Sequence, residues 1–455
     1  LILMTNLNII ETFPKDFIFG TATSSYQIEG QKYGNCGLSN WDTFSKKIGT
    51  IANNDTASEA CAHILNFERD LNLVKECGFK GYRFSFSWPR LLPNGKGEIN
   101  DDGISFYDKL LDCILERELL PFATLYHWDL PKILDDQGGW QKRDTANWFA
   151  DYTDLIAKKF GDRLHSVATI NEPWCVSWLG HYWGEHAPGL KSLEATAKSM
   201  HFILLAHAKS LEVLRDHKQK NLGIVLNKSL VQPLNSQKKN LEASKAYNDI
   251  HNLWFDEAIF KGKYPDNILK IFDFHMPKNF QDDLKLISKK IDWLGINYYT
   301  RSLVSHDRKE RNFNFKIVNG SLPKTNMGWE IFPEGLSLVL LNTINNYSKD
   351  LPIHITENGM ANNDFISNEE VNDDLRTDFF SSHLKEIYNL VQEGFPIKSY
   401  FAWSLLDNFE WSYGYNKRFG LVYVDYKNQK RLPKSSWHQF KKALLNKKMK
   451  EINEY

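Results

Sequence analysis

Three features of the sequence predict an α/β fold, a (β/α)8 TIM barrel with extended βα loops. Eight segments rich in β-branched and aromatic residues follow one another along the 455-residue chain. They begin about 40 to 70 residues apart, which is too far for hairpins and suits strand–loop–helix units. Helical patterns lie between them, and no Pro/Gly/Ser-rich linker divides the chain. Since such barrels exceed about 400 residues when their loops are long, we expect residues 1–455 to form a single domain with an ordered core at about 11–446.

Each predicted strand is a short apolar run that stops at polar or turn-forming residues. The eight strands are Phe17–Gln27, Gly81–Trp88, Leu120–Asp129, Ser166–Glu172, Leu222–Val231, Trp293–Thr300, Ile353–Glu357 and Ile397–Leu405. The seventh ends where Asn358 and Gly359 follow Glu357, because Asn and Gly tolerate the positive φ of a sharp turn. The fourth ends at Glu172, since Pro173 cannot continue a sheet ladder.

Apolar residues at a 3.6-residue period predict helices between the strands. They are Asn66–Cys77, which Gly78 ends, Phe106–Arg117, Trp148–Phe160 and Phe379–Gln392. The polar stretches Asn235–Asn240 and Lys447–Tyr455 are expected to be a solvated loop and a frayed end.

The charge balance excludes one class of partner, and the aromatic content leaves two interpretations open. The chain has 56 basic and 56 acidic side chains, whereas a nucleic-acid-binding protein needs a basic excess or stripe. Aromatic residues make up 14% of the chain. They could fill a large core or line a cleft for a flat, hydroxylated ligand.

Cysteine usage and the N-terminal residues bear on location. Five scattered cysteines, none in a CxxC pair, are typical of free thiols in a reducing compartment. The start L-I-L-M-T-N-L-N-I-I has no basic region and no cleavage site, so we expect no signal peptide, although Met4 could be the true start. No apolar run reaches the roughly 20 residues of a membrane span. We therefore predict a cytoplasmic protein without a membrane partner.

Polar and aromatic residues concentrate at the C-terminal ends of the predicted strands, where the active site of such a barrel lies. These residues are Gln27, Arg83, His127, Trp128, Asn171, Glu172, Asn297, Tyr299, Glu357, Trp403, Glu410 and Trp411. Taken singly, His127 and Trp403 would more often be core residues, and Arg83 and Tyr299 could be structural supports. Their shared position at strand ends favours a site.

Two glutamates facing one pocket can cleave a glycosidic bond. Carboxyl groups about 5–5.5 Å apart allow one to attack the anomeric carbon, whereas a wider gap leaves room for water and inverts that centre. One carboxyl must be neutral to give a proton, and the other must be ionised. Arg83, if it reaches Glu357, would stabilise that carboxylate, while Glu172 has no cationic neighbour in sequence.

An ordered set of motifs resembles glycoside hydrolase family 1, the β-glucosidases and their relatives. T-I-N-E-P at 169–173 and I-T-E-N-G at 355–359 are similar to the two catalytic signatures of that family. The resemblance continues through F-I-F-G-T-A-T-S-S-Y-Q-I-E-G, Y-R-F-S-F-S-W, L-Y-H-W-D-L-P, H-A-P-G, G-I-N-Y-Y and S-L-L-D-N-F-E-W. It covers nearly the whole chain and implies a retaining mechanism on a catalytic barrel.

The resemblance also implies roles for individual residues. Glu172 would be the general acid/base and Glu357 the nucleophile, with Arg83 and Tyr299 hydrogen-bonded to Glu357. Trp403 would stack beneath the sugar ring, and Trp329 would line the leaving-group side. The residues expected to contact substrate are Gln27, His127, Trp128, Asn171, Asn297, Trp329, Trp403, Glu410 and Trp411.

Several alternatives are disfavoured by particular residues. Thioglucosidases of the family have Gln at the acid/base position, where this chain has Glu172, and 6-phospho-glycosidases lack the pair formed here by Glu410 and Trp411. His181 and His186 do not have the H-E-x-x-H spacing of a zinc site. Cys175 has no His–Asn partners that would make it a nucleophile. We therefore expect neither metal nor cofactor.

The predicted function is that of an exo-acting, retaining β-glycosidase, most simply a β-glucosidase acting on small-molecule β-glycosides or short oligosaccharides. Two alternatives stay open: a β-galactosidase or β-fucosidase of broad specificity on the same scaffold, and a non-catalytic sugar-binding protein. The aglycone, the chain-length preference, the physiological substrate and assembly into a homo-oligomer also stay open.

Overall fold

A computed structural model describes residues 6–453 apart from Arg311. Met4 and the last two residues of the polar tail therefore lie outside the described residues. In chain order the strands are β1 (Ile18–Ala22), β2 (Gly81–Ser85), β3 (Leu120–Tyr126), β4 (Ser166–Asn171), β5 (Leu222–Pro233), β6 (Trp293–His306), β7 (Phe315–Val318), β8 (Ile353–Asn358), β9 (Ile397–Trp403), β10 (Val422–Asp425) and β11 (Lys430–Pro433).

Eight of these strands form a closed parallel barrel, which confirms the predicted fold class. Neighbours follow the order β1, β2, β3, β4, β5, β6, β8 and β9, and β9 pairs with β1 to close the ring. The short strand β7 pairs antiparallel with the far end of β6, and β10 and β11 form a separate antiparallel pair. All eight barrel strands therefore point their C-terminal ends to one face.

Helices surround the barrel and fill the connections between its strands. The α-helices are α1 (Ser25–Ile28), α2 (Asn40–Ser45), α3 (His63–Cys77), α4 (Trp88–Leu91), α5 (Asp101–Glu116), α6 (Lys132–Asp136), α7 (Arg143–Phe160), α8 (Leu193–Asp216), α9 (Lys238–Asn248), α10 (Trp254–Lys261), α11 (Asp266–Phe272), α12 (Phe280–Ile287), α13 (Pro333–Thr343), α14 (Asp374–Gln392) and α15 (Ser435–Asn453). Wider π-helical turns span Cys175–Trp183, Asp249–Leu253 and Ile344–Ser348, and 3-10 turns span Asn8–Thr12, Ala52–Asn54, Gly139–Gln141, Gly161–Arg163, Asp273–His275 and Trp411–Tyr413. Within the described residues, none of the helices is long and apolar enough to cross a membrane.

The barrel interior is closed below its C-terminal face by aromatic rings. The rings of Phe122 and Phe401 meet edge to face with centroids 4.8 Å apart. Gly20 and Gly81 leave room for Phe401, because a Cβ at either position would lie within 2.8 Å of that ring. This packed layer forms a rigid floor beneath the strand ends.

The prediction for the first strand was wrong at its C-terminal end. β1 stops at Ala22 rather than Gln27, and Ser25–Ile28 form a helical turn. The hydroxyl of Ser85 accepts a hydrogen bond from the backbone N–H of Ser25 at 2.7 Å, so a side chain replaces the sheet ladder there. Gln27 consequently lies on a helical turn above the barrel.

Two segments predicted to be irregular are helical in part. The stretch Asn235–Asn240 runs into α9, which begins at Lys238, and the polar tail from Lys447 continues α15 to Asn453. The tail is ordered because it contacts the other end of the chain: Lys447 donates to the carbonyl of Phe13 at 2.5 Å, and Lys450 pairs with Glu11 at 2.6 Å. A hydrophilic composition did not indicate these distant contacts.

Candidate active site

A cavity of about 340 Å³ lies at the C-terminal face of the barrel. Its wall includes ten of the residues singled out in the sequence: His127, Trp128, Glu172, Asn297, Tyr299, Trp329, Glu357, Trp403, Glu410 and Trp411. Gln27, Arg83 and Asn171 are not part of that wall, but each is hydrogen-bonded to a residue that is. The two glutamates, which are far apart in sequence, therefore face one cavity.

Glu357 lies on β8 between a cation and a phenol. Arg83 donates to Oε1 of Glu357 at 2.6 Å, and Tyr299 donates to Oε2 at 2.5 Å. The carboxyl group and the guanidinium are both buried, with relative exposures of 4% and 2%. A buried, charge-assisted hydrogen bond of this kind stabilises a carboxylate in one orientation.

Glu172 follows β4 directly and has only neutral hydrogen-bond donors. Asn297 donates to its Oε1 at 2.6 Å, and the thiol of Cys175 donates to its Oε2 at 3.1 Å. Its backbone has φ of +51°, an uncommon conformation for a non-glycine residue and one that clusters at functional sites. Burial first, and then the charge of Glu357, raise the pKa of Glu172 to about 7. This carboxyl is thus protonated for a large part of the time at neutral pH.

The orientation of the amide groups around Glu172 follows from Arg83. Because a guanidinium only donates hydrogen bonds, the atom of Asn171 that lies 2.8 Å from Arg83 Nη2 must be the carbonyl oxygen. Asn297 Nδ2 is 3.2 Å from that same oxygen and must therefore donate to it. Hence Asn297 also presents an N–H group, not an oxygen, to Glu172.

Asn171 connects this system to His127. Its Nδ2 donates to Nε2 of His127 at 3.1 Å, so the proton of the neutral imidazole is on Nδ1. Burial lowers the pKa of His127 well below its ordinary value. Nδ1 has no partner among the described residues, which leaves a buried N–H donor on a residue of the cavity wall.

Glu410 and Trp411 lie on the loop after β9. Burial and the charges of Glu357 and Glu172 raise the pKa of Glu410 to about 8, so its carboxyl is mainly neutral at pH 7. Gln27 donates to Glu410 at 3.4 Å and to the backbone carbonyl of Phe409 at 3.0 Å. The Oε1 atom of Gln27 accepts a hydrogen bond from Ser24 at 2.6 Å. The amide of Gln27 therefore supports the loop that carries Glu410.

A buried ionic network fixes the same loop from behind. Asp407 accepts hydrogen bonds from Lys434 at 2.6 Å and from Arg418 at 2.7 Å, and Lys434 also pairs with Asp364 at 2.6 Å. Breaking such a buried pair leaves an uncompensated charge, which is strongly destabilising. The network therefore restricts where Glu410, three residues after Asp407, can lie.

Aromatic rings cover two sides of the cavity. Trp411 packs against Trp128 with centroids 4.4 Å apart, and the ring of His127 is nearly parallel to that of Trp403 at 5.9 Å. Tyr299 and Trp329 form another pair in the wall, with centroids 5.5 Å apart. Flat apolar faces beside polar groups suit a ring that has hydroxyls at its edge and C–H bonds on its faces.

Sequence reasoning missed part of the wall. Phe419, Met327 and Trp174 line it. Trp174 directly follows the motif T-I-N-E-P, and Met327 lies two residues before Trp329. Asn227 and His251 also line it, but they lie on β5 and a π-helical turn that carry no recognisable motif. The pairing of β5 with β6 in the barrel brings this part of the chain to the cavity.

A buried pair of carboxyls in a ring-lined cavity of a (β/α)8 barrel, one ion-paired with a guanidinium and the other with a raised pKa, defines a glycoside hydrolase, an enzyme acting on O-glycosyl bonds. The family model described as glycosyl hydrolase family 1 matches residues 9–449. The chain belongs to this family, which confirms the resemblance predicted from its motifs.

Individual relatives match the chain over nearly its full length. It is 41% identical to the 1,4-beta-D-glucan glucohydrolase of Thermotoga neapolitana, over 96% of this chain and 99% of that protein. It is 38% identical to the bifunctional beta-D-glucosidase/beta-D-fucosidase of Bifidobacterium breve, over 95% and 98% of the two chains. The solved family 1 b-glucosidase of Thermotoga maritima superimposes with a TM-score of 0.93 at 40% identity, covering 96% and 99%.

Proposed function

We propose that the chain is a retaining exo-β-glucosidase that removes terminal non-reducing β-D-glucosyl units from small glycosides or short oligosaccharides. One observation carries this proposal: the two glutamates of a single cavity have opposite electrostatic surroundings. Glu357 lies against the Arg83 cation, and Glu172 against neutral donors with a raised pKa. The names of the relatives from Thermotoga support glucose as the sugar removed.

In the first step Glu357 attacks the anomeric carbon while Glu172 transfers its proton to the glycosidic oxygen, so that the C–O bond breaks and the aglycone leaves. In the second step Glu172, now a carboxylate, takes a proton from water as that water attacks the anomeric carbon, and the bond from this carbon to Glu357 breaks to release the Glu357 carboxylate. Arg83 and Tyr299 orient the Glu357 carboxylate for attack. Each of the two steps inverts the configuration of the anomeric carbon, so that the β configuration is retained overall.

The sugar is proposed to lie between the aromatic and polar walls. Trp403 packs beneath its ring, while Gln27, His127, Trp128, Asn171, Asn297, Glu410 and Trp411 surround the hydroxyls. The unpaired Nδ1–H of His127 is a ready donor to one of them. Trp329, which packs against Tyr299 in the cavity wall, would contact the aglycone.

Product stereochemistry tests this proposal directly. Proton NMR of a reaction with a nitrophenyl β-glucoside should show the β-anomer of glucose first, before mutarotation adds the α-anomer. Early α-glucose would exclude the retaining mechanism. Sugar binding without turnover would instead support the sugar-binding protein.

A second candidate, combined glucosidase and fucosidase activity, is favoured by the relative from Bifidobacterium breve that is named for both. The sugars differ at the hydroxyls that Glu410 would contact, so selectivity depends on the position of its loop. Values of kcat/KM for nitrophenyl β-glucoside, β-galactoside and β-fucoside distinguish the candidates.

Two further proposals concern the chain as a whole. We propose a single catalytic domain, supported by the contacts of Glu11 and Phe13 near the start with Lys447 and Lys450 in α15. A cytoplasmic location is supported by the five cysteines, which are all free thiols.

A further inference from the structure

Cys175 contacts the carboxyl group that the proposed mechanism uses as acid and base. It begins the π-helical turn Cys175–Trp183, three residues after Glu172, and lines the cavity. Its Sγ lies 3.1 Å from Oε2 of Glu172. Burial and the charge of Glu172 raise the pKa of the thiol well above its ordinary value, so Cys175 keeps its proton and can donate it in a hydrogen bond.

The two oxygens of Glu172 are not equivalent. Oε1 faces Nδ2 of Asn297, a group that only donates hydrogen bonds and whose orientation Arg83 and Asn171 dictate. The carbonyl oxygen of a carboxylic acid is the better acceptor, so Oε1 takes that role and the transferable proton lies on Oε2. Oε2 is the oxygen that contacts Cys175.

A thiol suits this position because it serves both charge states of Glu172. It is a weak donor to a carboxylate, and its sulfur is a weak acceptor from a carboxylic acid. After Glu172 has given up its proton, the S–H group stabilises the anion at Oε2. Once Glu172 is protonated again, the sulfur binds the proton too weakly to compete with a glycosidic oxygen.

We propose that Cys175 is a positioning residue for the acid/base Glu172, whose thiol donates to Oε2 and stabilises the carboxylate that Glu172 becomes once it has given up its proton. This inference rests on the proposed glycosidase function. It assigns no covalent step to Cys175, which acts only through Glu172.

Other groups near Glu172 also influence its titration, and the test must leave them unchanged. The charged and titratable groups are Arg83 on β2, Tyr299 on β6, Glu357 on β8 and Glu410 on the loop after β9, and Tyr247 on α9 lies near Cys175 itself. A substitution at Cys175 alters none of these side chains.

The experiment compares pH profiles of kcat/KM, whose basic limb reports the pKa of the acid in the free enzyme. In Cys175→Ala the carboxylate loses one donor, so the limb should move up by about half a pH unit, as expected for one neutral hydrogen bond. In Cys175→Ser the stronger hydroxyl donor should keep the limb at or below its wild-type position. Cys77→Ala is the matched control, since Cys77 is also buried but lies on α3, where its thiol faces the backbone of Trp437.

A second readout separates proton transfer from packing. With a dinitrophenyl glucoside, whose leaving group needs little protonation, kcat/KM of Cys175→Ala should stay near wild type. With a methyl or phenyl glucoside, kcat/KM of Cys175→Ala should differ several-fold from the wild-type value. If Cys175→Ala does not fold, Cys175→Val, which is close to cysteine in size and has no donor, takes its place and should show the same upward shift.

An unmoved basic limb in both Cys175 variants would overturn this proposal, and so would an equal upward shift in both. A limb that moves up in Cys77→Ala as well would show a general effect of cavity formation and overturn it too. An inactive wild type would refute the proposed function first. If the wild type is active and the basic limbs of the Cys175 variants are unshifted, only the role of Cys175 is refuted.

Discussion

The ends of β4 and β8 present the same side chain in two different settings. At β8, Glu357 is in contact with a guanidinium and a phenol. At β4, Glu172 contacts an amide and a thiol, and its backbone takes a positive φ. Both carboxyls are buried, with residue exposures of 3% and 5%, so solvent access does not distinguish them.

The difference lies in the charge of the donors. A buried carboxyl next to a cation is stabilised as an anion, whereas a buried carboxyl with neutral donors has its pKa raised by desolvation. The negative charge of Glu357 raises the pKa of Glu172 further. Arg83 therefore ion-pairs with the carboxyl at one strand end, and the negative charge of that carboxyl adds to the burial that raises the pKa of Glu172 at the other.

The largest effect should follow from removing the anion. We expect Glu357→Ala to lower kcat on nitrophenyl β-glucoside by about five orders of magnitude, as loss of a nucleophile does elsewhere. Azide added to this variant should give the α-glucosyl azide from an activated substrate, because it attacks from the vacated side. Activity close to wild type, or only β-azide, would contradict the assignment.

Removing the acid should have a smaller effect that depends on the leaving group. Glu172→Ala should lower kcat/KM for a methyl or phenyl glucoside by about 10³-fold, within the range of general acid catalysis. For a dinitrophenyl glucoside the value should change little. Here azide should give the β-glucosyl azide, since it intercepts the glycosyl-enzyme. Equal losses for all leaving groups would argue against an acid.

The difference between the surroundings of the two glutamates can be reduced without removing either of them. Arg83→Lys keeps the charge near Glu357 but cannot also reach Asn171 and the carbonyl of Thr356, which the fork of Arg83 contacts. We expect kcat/KM to fall about 10- to 100-fold, mostly through kcat. Arg431→Lys is the control, because Arg431 is also buried and ion-paired but binds Asp70 at a site remote from the cavity. Comparable losses in both variants would show a general effect on stability.

Sequence reasoning identified the parts of the molecule whose causes are local. The barrel strands and both glutamates were predicted because a β-rich run, a turn residue and a motif stand side by side at Glu357 and again at Glu172. The helical turn that carries Gln27 was missed, since the hydroxyl of Ser85, distant in sequence, ends the sheet ladder there.

Another miss has the same origin. The ordered tail depends on the backbone of Phe13, far away in the chain, and polar composition gives no sign of that contact. Cys175 was considered only as a nucleophile and set aside. Its spacing of three residues from Glu172 was a usable signal, because a helical turn after the strand places such residues on one face.

The mildest test changes only the charge of Glu357. If that charge contributes to the raised pKa of Glu172, then Glu357→Gln, which keeps the shape of the side chain, should lower the pKa of Glu172 below 7. Burial still acts, so the pKa should stay above that of an exposed glutamate. Carbon-13 NMR of protein labelled at the glutamate carboxyl measures this shift, with the Glu172 signal assigned by its absence in Glu172→Gln.

The sign of that shift matters for turnover. In the proposed mechanism the acid form of Glu172 is the active one, so wild-type kcat/KM should fall tenfold per pH unit above about pH 7. When Glu357 carries the glycosyl group it is a neutral ester, as Glu357→Gln is neutral, and the pKa of Glu172 must then fall. Glu172 is thereby ionised to a greater extent in the second step, where it acts as a base. An unchanged pKa in Glu357→Gln would show that burial alone protonates Glu172 and that the two strand ends act independently.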